Sequence, residues 1–328
     1  MSKSNNSITA ISDVAVGHVT DKKNATGVTV IRFGKDGARA AVSVQGAAPG
    51  TRETDLLDPG NLVERVHAIV LTGGSAYGLD AASGVMAALE GEGRGLNVLP
   101  DVVVPIVPAA VLFDLAIGSS AVRPTAEWGE RAVKEASSLP VESGNIGAGT
   151  GATVGKLAGA ACATKGGLGS ASLTLPNGKI VAALVAVNAV GEILDSRTGT
   201  VIAGVRASMK GGYRSAVDIA MGISDEDGPL AANTTIGVVV TDESLTKADL
   251  KKVAEMAHDG LARAIRPVHT QFDGDTVFAV STSEEVAPSQ GGSLNAIGVA
   301  AALVLELAIV DGINSAQSLL GCIASCDW

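Results

Sequence analysis

Aromatic side chains are scarce: 2 Trp, 2 Tyr and 4 Phe occur in 328 residues. That leaves little from which to build a stacking platform for single-stranded nucleic acid. It also hands the interior to Val, Ile, Leu and Ala, with 41 Gly residues permitting close backbone contacts in a tightly layered protein. Basic residues are outnumbered, 24 Lys and Arg against 34 Asp and Glu, for a formal charge of −10 and a pI near 4.9. A nucleic acid or anionic membrane partner is therefore not expected. The three cysteines, Cys162, Cys322 and Cys326, supply no disulfide framework. Cys322 and Cys326 can share a helix face, but no His or further Cys lies near them in sequence, so no metal site is expected. Uninterrupted apolar runs of membrane-spanning length are missing too: Val102–Ile117 is apolar but broken by Pro105, Pro108 and Asp114. The polar start Met1-Ser2-Lys3-Ser4-Asn5-Asn6 lacks the apolar core of a secretory signal, and the expectation is a soluble cytoplasmic protein.

What is present is a chain that is 46% hydrophobic, long enough for one large α/β domain and without a linker that would divide it. Residues 14–19, 27–31 and 40–44 alternate as two or three strands of an early meander, with turns at Asp21–Asn24 and Gly34–Gly37. A Gly/Pro loop then delivers Arg52, Glu53 and Asp55, either as a solvated turn or facing a substrate. His67–Thr72 reads as a buried strand running through Gly73-Gly74-Ser75 into a helix over Ala76–Leu89. Neither a nucleophile elbow nor a dinucleotide fingerprint completes there, which leaves close packing as the reason for the glycines. The densest glycine run, Gly144–Lys156, resembles a phosphate loop at Gly155-Lys156 but has Thr150 and Leu157 at two essential positions. A non-enzymatic anion-binding protein remains the alternative from that loop. Ile180–Val187 is a continuous apolar strand, covered on both faces, ending at Asn188, whose amide can cap the chain or serve a developing oxyanion.

The stretch Ala232–Asp242 reads as a loop ending in Asn233, two hydroxyl residues, then a β-branched strand. It follows a Gly-, Ser- and Asp-rich segment over 196–230 that suits a chain end coming free. A Thr at a new N-terminus can use its own α-amine, with a pKa of about 7.7–8, as the base for its hydroxyl, so no histidine is required. The alternative for these few residues is an ordinary turn entering a buried strand. Thr246–Asp249 has the form of a capping box for a helix over Ala248–Ile265, and Asp273 and Asp275 open the next strand, Thr276–Thr282. If the strands after Thr234 and Asp275 are parallel neighbours, both sites share one sheet edge. A last helix, Leu294–Asp311, covers a sheet face.

Taken together, residues 49–55, 71–79, 144–156, 233–237, 258–263 and 273–275 resemble, in order and across the whole chain, the DmpA-type aminopeptidase superfamily. The Asn-Thr-Thr junction is most similar to that of the 6-aminohexanoate-oligomer (nylon) hydrolases. The resemblance implies a four-layer α-β-β-α sandwich of the N-terminal-nucleophile type with its own strand connectivity, no cofactor, and self-cleavage between Asn233 and Thr234 into fragments 1–233 and 234–328. It implies Thr234 as nucleophile, Lys156, Asp273 and Asp275 as organisers of its amine and hydroxyl, and Asn188 at the oxyanion site. Glu53, Tyr77 and Phe113 become candidates for substrate contact, Phe113 standing where some relatives carry Tyr. The resemblance further implies an amide or peptide substrate and oligomers of αβ units, a tetramer among them.

Overall fold

The structure, a computed structural model, describes residues 5–222, 233–285 and 291–328. The strands of its main sheets are, in chain order, Ala15–Asp21 (β1), Thr26–Arg32 (β2), Ala38–Val44 (β3), Thr51–Arg52 (β4), Arg65–Val66 (β5), Ala68–Thr72 (β6), Ala109–Val111 (β7), Gly167–Thr174 (β8), Ile180–Asn188 (β9), Thr234–Thr241 (β10) and Thr276–Ser281 (β11). One sheet has the order β1-β2-β6-β7-β4 and the other β8-β9-β10-β11-β3-β5. Helices Ala81–Gly91 (α1) and Ala126–Lys134 (α2) cover the first sheet, while Lys247–Ala264 (α3) and Gly291–Asn314 (α4) cover the second. The result is the α-β-β-α sandwich of the N-terminal-nucleophile type.

Side-chain alternation builds the layers. In β9, Ala182, Leu184 and Ala186 point between the sheets, while Val181, Ala183, Val185 and Val187 meet the helices. In β10, Ile236, Val238 and Val240 point between the sheets and Val239 meets the helices. By the same period of two, Thr234 and Asn188 emerge between the sheets. Buried on both faces, these central strands are the near-continuous apolar runs that the sequence displays.

The connection from β10 through α3 to β11 brings the last two together as parallel neighbours, Ile236 opposite Thr276 through Thr241 opposite Ser281. The Thr246 capping box forms as its sequence predicts, with Asp249 as the partner. The early meander does not hold in full. β1 and β2 pair antiparallel, but β3 crosses to the other sheet and lies against β11. Its place beside β2 is taken by β6, and β3, with Ala40 and Val42 between the sheets and Ala41 toward the helices, needs cover on both faces. Residues 200–220 form short strands and a one-turn helix, while Ser224–Pro229 lies outside the described residues. Within α4, Ser293–Asn314 is long and apolar enough to cross a bilayer, yet two thirds of that stretch is buried within the fold, where it packs on β8, β9 and α3.

The glycines let backbones touch. A Cβ on Gly84 of α1 would lie 1.7 Å from the carbonyl oxygen of Ala126, and one on Gly129 of α2 would lie 1.9 Å from that of Ala81. Both obstacles are backbone, so no rotamer change relieves them. Gly84→Ala and Gly129→Ala are each expected to destabilise the protein by about 1–3 kcal/mol through overpacking, read as a lower urea midpoint with an unchanged slope.

Candidate active site

The site forms where the ladder between β10 and β11 opens. Beyond the regular pairing, a single parallel bridge joins Asn233 to Asp273: Asn233 N–H donates to the Phe272 carbonyl at 2.9 Å, and Gly274 N–H donates to the Asn233 carbonyl at 2.8 Å. Between this bridge and Ile236, the Thr235 N–H turns to the carboxylate of Asp275, 2.7 Å from Oδ1. Thr234 sits in the opening, 4% exposed, with its hydroxyl donating to the carbonyl oxygen of Asn233. On its other side it is paired with Asn188 of β9.

Both carboxylates are buried, each 1% exposed. Asp273 accepts from the N–H and hydroxyl of Thr270 at 2.9 and 2.6 Å. Burial, reinforced by neighbouring Asp275, pushes its pKa up. Asp275 Oδ2 accepts from the N–H of His269 at 3.2 Å and lies 2.8 Å from Nδ1 of that ring. The His269 ring meets His258 edge-on at 4.8 Å, and burial lowers His258 to about 4, so that imidazole is neutral at physiological pH. His269 carries no sequence signal of its own; only the fold brings it to the acidic pair.

Lys156 comes off the glycine-rich loop into a buried position. Its Nζ donates to the backbone carbonyl of Asn188 at 2.8 Å and to Asn188 Oδ1 at 2.9 Å. Burial lowers its pKa to about 7, opposed first by Asp273. Two acceptors suit a neutral amine, which has two N–H groups and a lone pair. Lys165, which sequence reasoning passed over, makes a useful contrast. Burial pushes it too toward about 7, but its Nζ donates to three carbonyls, those of Gly149, Ala152 and Gly166, at 3.0, 2.8 and 2.8 Å. Three acceptors match the three N–H groups of an ammonium. Lys165 thereby pins the glycine loop that presents Lys156. Asn188 is held from several sides: Oδ1 also accepts from Thr153 N–H at 3.0 Å, and one N–H of Nδ2 donates to the Phe113 carbonyl at 3.0 Å, tying the two sheets together.

Beside this cluster opens a cleft of about 450 Å³, lined by Phe113, Asp114, Thr153, Lys156 and Cys322 among smaller apolar residues. Asp114 is held by Gly74 N–H and the Thr26 hydroxyl, each at 2.7 Å, and a Cβ on Gly73 would lie 1.9 Å from its carboxylate; close packing is what the Gly73-Gly74 turn provides. Phe113 lines the cleft as its candidacy requires. Tyr77 and Glu53 do not: Tyr77 is 62% exposed with Arg123 stacked 3.8 Å above its ring, and Glu53 accepts from Val107 N–H at 3.3 Å. The structure thus brings Thr234, Lys156, Asn188, Asp273 and Asp275 together, and leaves those two apart.

Known proteins resemble this chain in sequence and in fold. The profile of Peptidase family S58 matches residues 6–324. An uncharacterized aminopeptidase of Mycobacterium leprae is 42% identical, over 98% of this chain and 93% of its own length. A 6-aminohexanoate-oligomer endohydrolase of an Agromyces species is 35% identical over 85% of this chain and 76% of its own. Among solved structures, the L-aminopeptidase D-Ala-esterase/amidase of Ochrobactrum anthropi, described as a variant of the Ntn hydrolase fold, superposes with a TM-score of 0.74 at 21% identity, covering 97% of this chain and 88% of that one. A β-aminopeptidase of a Burkholderia species gives 0.70 at 23% identity, covering 98% and 90%. With nearly its whole length inside the family profile and relatives above 30% identity along most of it, the chain belongs to Peptidase family S58, a family of amide-cleaving hydrolases.

Proposed function

We propose that the chain is an autoprocessed amide hydrolase whose nucleophile is Thr234, released as an N-terminal residue by cleavage after Asn233. The observation that carries this reading is the placement of the Thr234 hydroxyl on the Asn233 carbonyl, inside a buried cluster of Lys156, Asn188, Asp273 and Asp275. In the uncut chain no α-amine exists at Thr234, and neutral Lys156 is the base proposed for its hydroxyl. In the cut enzyme the new α-amine takes that proton, Oγ1 attacks the substrate carbonyl, and the amine product leaves with the proton returned. Water then hydrolyses the Thr234 ester. Asp273 stabilises a protonated amine and Lys156 counters it, so the pair sets where the amine titrates.

The mostly apolar lining of the cleft supports linear aliphatic amides as substrates, with 6-aminohexanoate oligomers the leading class; oligomers of αβ units are the working form we propose. The mycobacterial relatives, named aminopeptidases and more similar in sequence, favour short peptides or β-peptides as a second class. Rates on a 6-aminohexanoate oligomer and on an aminoacyl p-nitroanilide, compared at equal enzyme concentration, separate the two.

Intact mass under denaturing conditions is expected to give two chains, residues 1–233 and 234–328. Thr234→Ala should remain one chain and lose turnover by about 10⁴-fold or more, as loss of a nucleophile does elsewhere; a split or active variant refutes the assignment. pH separates the two steps. Lys156 is charged below about 7, so the rate of splitting should rise about tenfold per pH unit below that point and level off above it. Turnover, which also needs the neutral α-amine, should level off nearer pH 8. In Lys156→Arg, permanently charged, splitting should be slow at every pH, followed by gel densitometry from pH 5.5 to 9.

A further inference from the structure

The carbonyl oxygen at the proposed cut, that of Asn233, takes the Thr234 hydroxyl from one side and the Gly274 N–H, at 2.8 Å, from another. The second donor is immobilised. The carbonyl before it, on Asp273, accepts from Ala48 N–H at 2.9 Å, and the carbonyl after it, on Asp275, accepts from Gln45 N–H at 3.0 Å. The Asp275 side chain is fastened in turn by His269 and by the Thr235 N–H. Residue 274 must also be small: a Cβ there would stand 2.8 Å from Thr234 Oγ1 and 2.7 Å from the Ala48 carbonyl. One N–H of Asn188 Nδ2 is on the Phe113 carbonyl, and the backbone donor on the scissile oxygen is that of Gly274.

We propose that the Gly274 N–H is the oxyanion donor of this site, serving the Asn233 carbonyl during self-cleavage and afterwards the acyl carbonyl of each substrate. The proposal rests on the self-processing reading. As Oγ1 adds to the Asn233 carbon, its proton passes to the Lys156 amine and the carbonyl electron pair moves onto oxygen, against a donor that needs no reorganisation. The C–N bond then breaks, the Thr234 nitrogen takes the proton back from Lys156, and an ester joins Asn233 to Oγ1. That ester is an acyl-enzyme whose acyl group is the chain's own residue, so its carbonyl marks the position of a substrate carbonyl in the same covalent state. Hydrolysis by water releases Asn233 as a carboxylate. The Gly274 N–H then faces the vacated position without its acceptor, which is unfavourable for a buried amide until a substrate carbonyl arrives.

The bridge provides its own control, because Asn233 N–H and Gly274 N–H are its two hydrogen bonds and only the second touches the scissile carbonyl. Cell-free translation with glycolate at position 274 replaces that N–H by an ester oxygen; the α-hydroxy analogue of asparagine at position 233 removes the other. Splitting is followed by intact mass, which distinguishes cleavage after 233 from hydrolysis of the inserted ester. The 274 ester is expected to slow splitting by about 100-fold or more, with a matching fall in kcat for whatever fraction matures, as for loss of one oxyanion donor. The 233 ester should stay within about tenfold of the unsubstituted chain, the bond it removes being an ordinary ladder bond. Equal slowing by both, or by neither, overturns the proposal. An unsubstituted chain that never splits overturns the self-processing reading, and the proposal with it, and is told apart because the control itself then fails.

Discussion

Everything at this site hangs on how β10 is held at its first residue. One edge of the strand is laddered to β9 from Thr241 back to Thr234, the other to β11 only as far as Ile236. Thr234 is therefore fixed by one neighbour at the point where the other lets go, and the vacancy is filled by a carboxylate accepting from Thr235. Both faces of the strand are covered, by the second sheet and by helices, so the hydroxyl cannot swing as it would on a loop. A reactive group carried on a rigid element can be held to within about 0.5 Å of its working geometry.

That rigidity brings ionisable groups into a dry interior, where each charge needs local compensation. Backbone carbonyls do most of it. Lys165 is surrounded by three; Lys156 meets a carbonyl and an amide oxygen of one residue. Burial lowers both lysines alike, and they differ in the number of acceptors they meet. On the acidic side, Asp275 spends its oxygens on Thr235 and His269, while Asp273 is raised by burial and by that neighbour.

Strand alternation made the central elements legible. The apolar run at Ile180–Val187 read as a doubly covered strand and the stretch after Thr234 as a β-branched one, and the capping box marked α3 to within a residue. Which sheet a strand joins was not legible, because β3 carries the same local pattern as β2 and only long-range pairing separates them. The site residues split along a similar line. Thr234, Lys156, Asp273 and Asp275 stood out through the ordered motifs they share with a family, and Asn188 through its place at the end of an apolar strand, whereas Asn-Thr-Thr by itself reads as a turn. His269 and Lys165 belong to no motif, and their partners are set by loop packing or by carbonyls of the glycine loop, which one-dimensional pattern does not encode. Glu53 and Tyr77 show the converse: a residue can sit in a shared motif and still turn away from the cleft.

The place of the proposed cut also fits the way the second sheet is assembled. In the order β8-β9-β10-β11-β3-β5, the two central strands come from residues after 233 and the flanking ones from residues before it. Cutting the chain would remove one covalent bond and leave the antiparallel ladders of β9 with β10 and of β11 with β3 intact, together with the apolar layers beneath α3 and α4. Neither fragment holds the second sheet complete. The chain can thus be opened at the proposed nucleophile without loosening the scaffold around it, since the new terminus would lie at the end of the ladder and the hydrophobic contacts that stabilise the layers lie further along the strands.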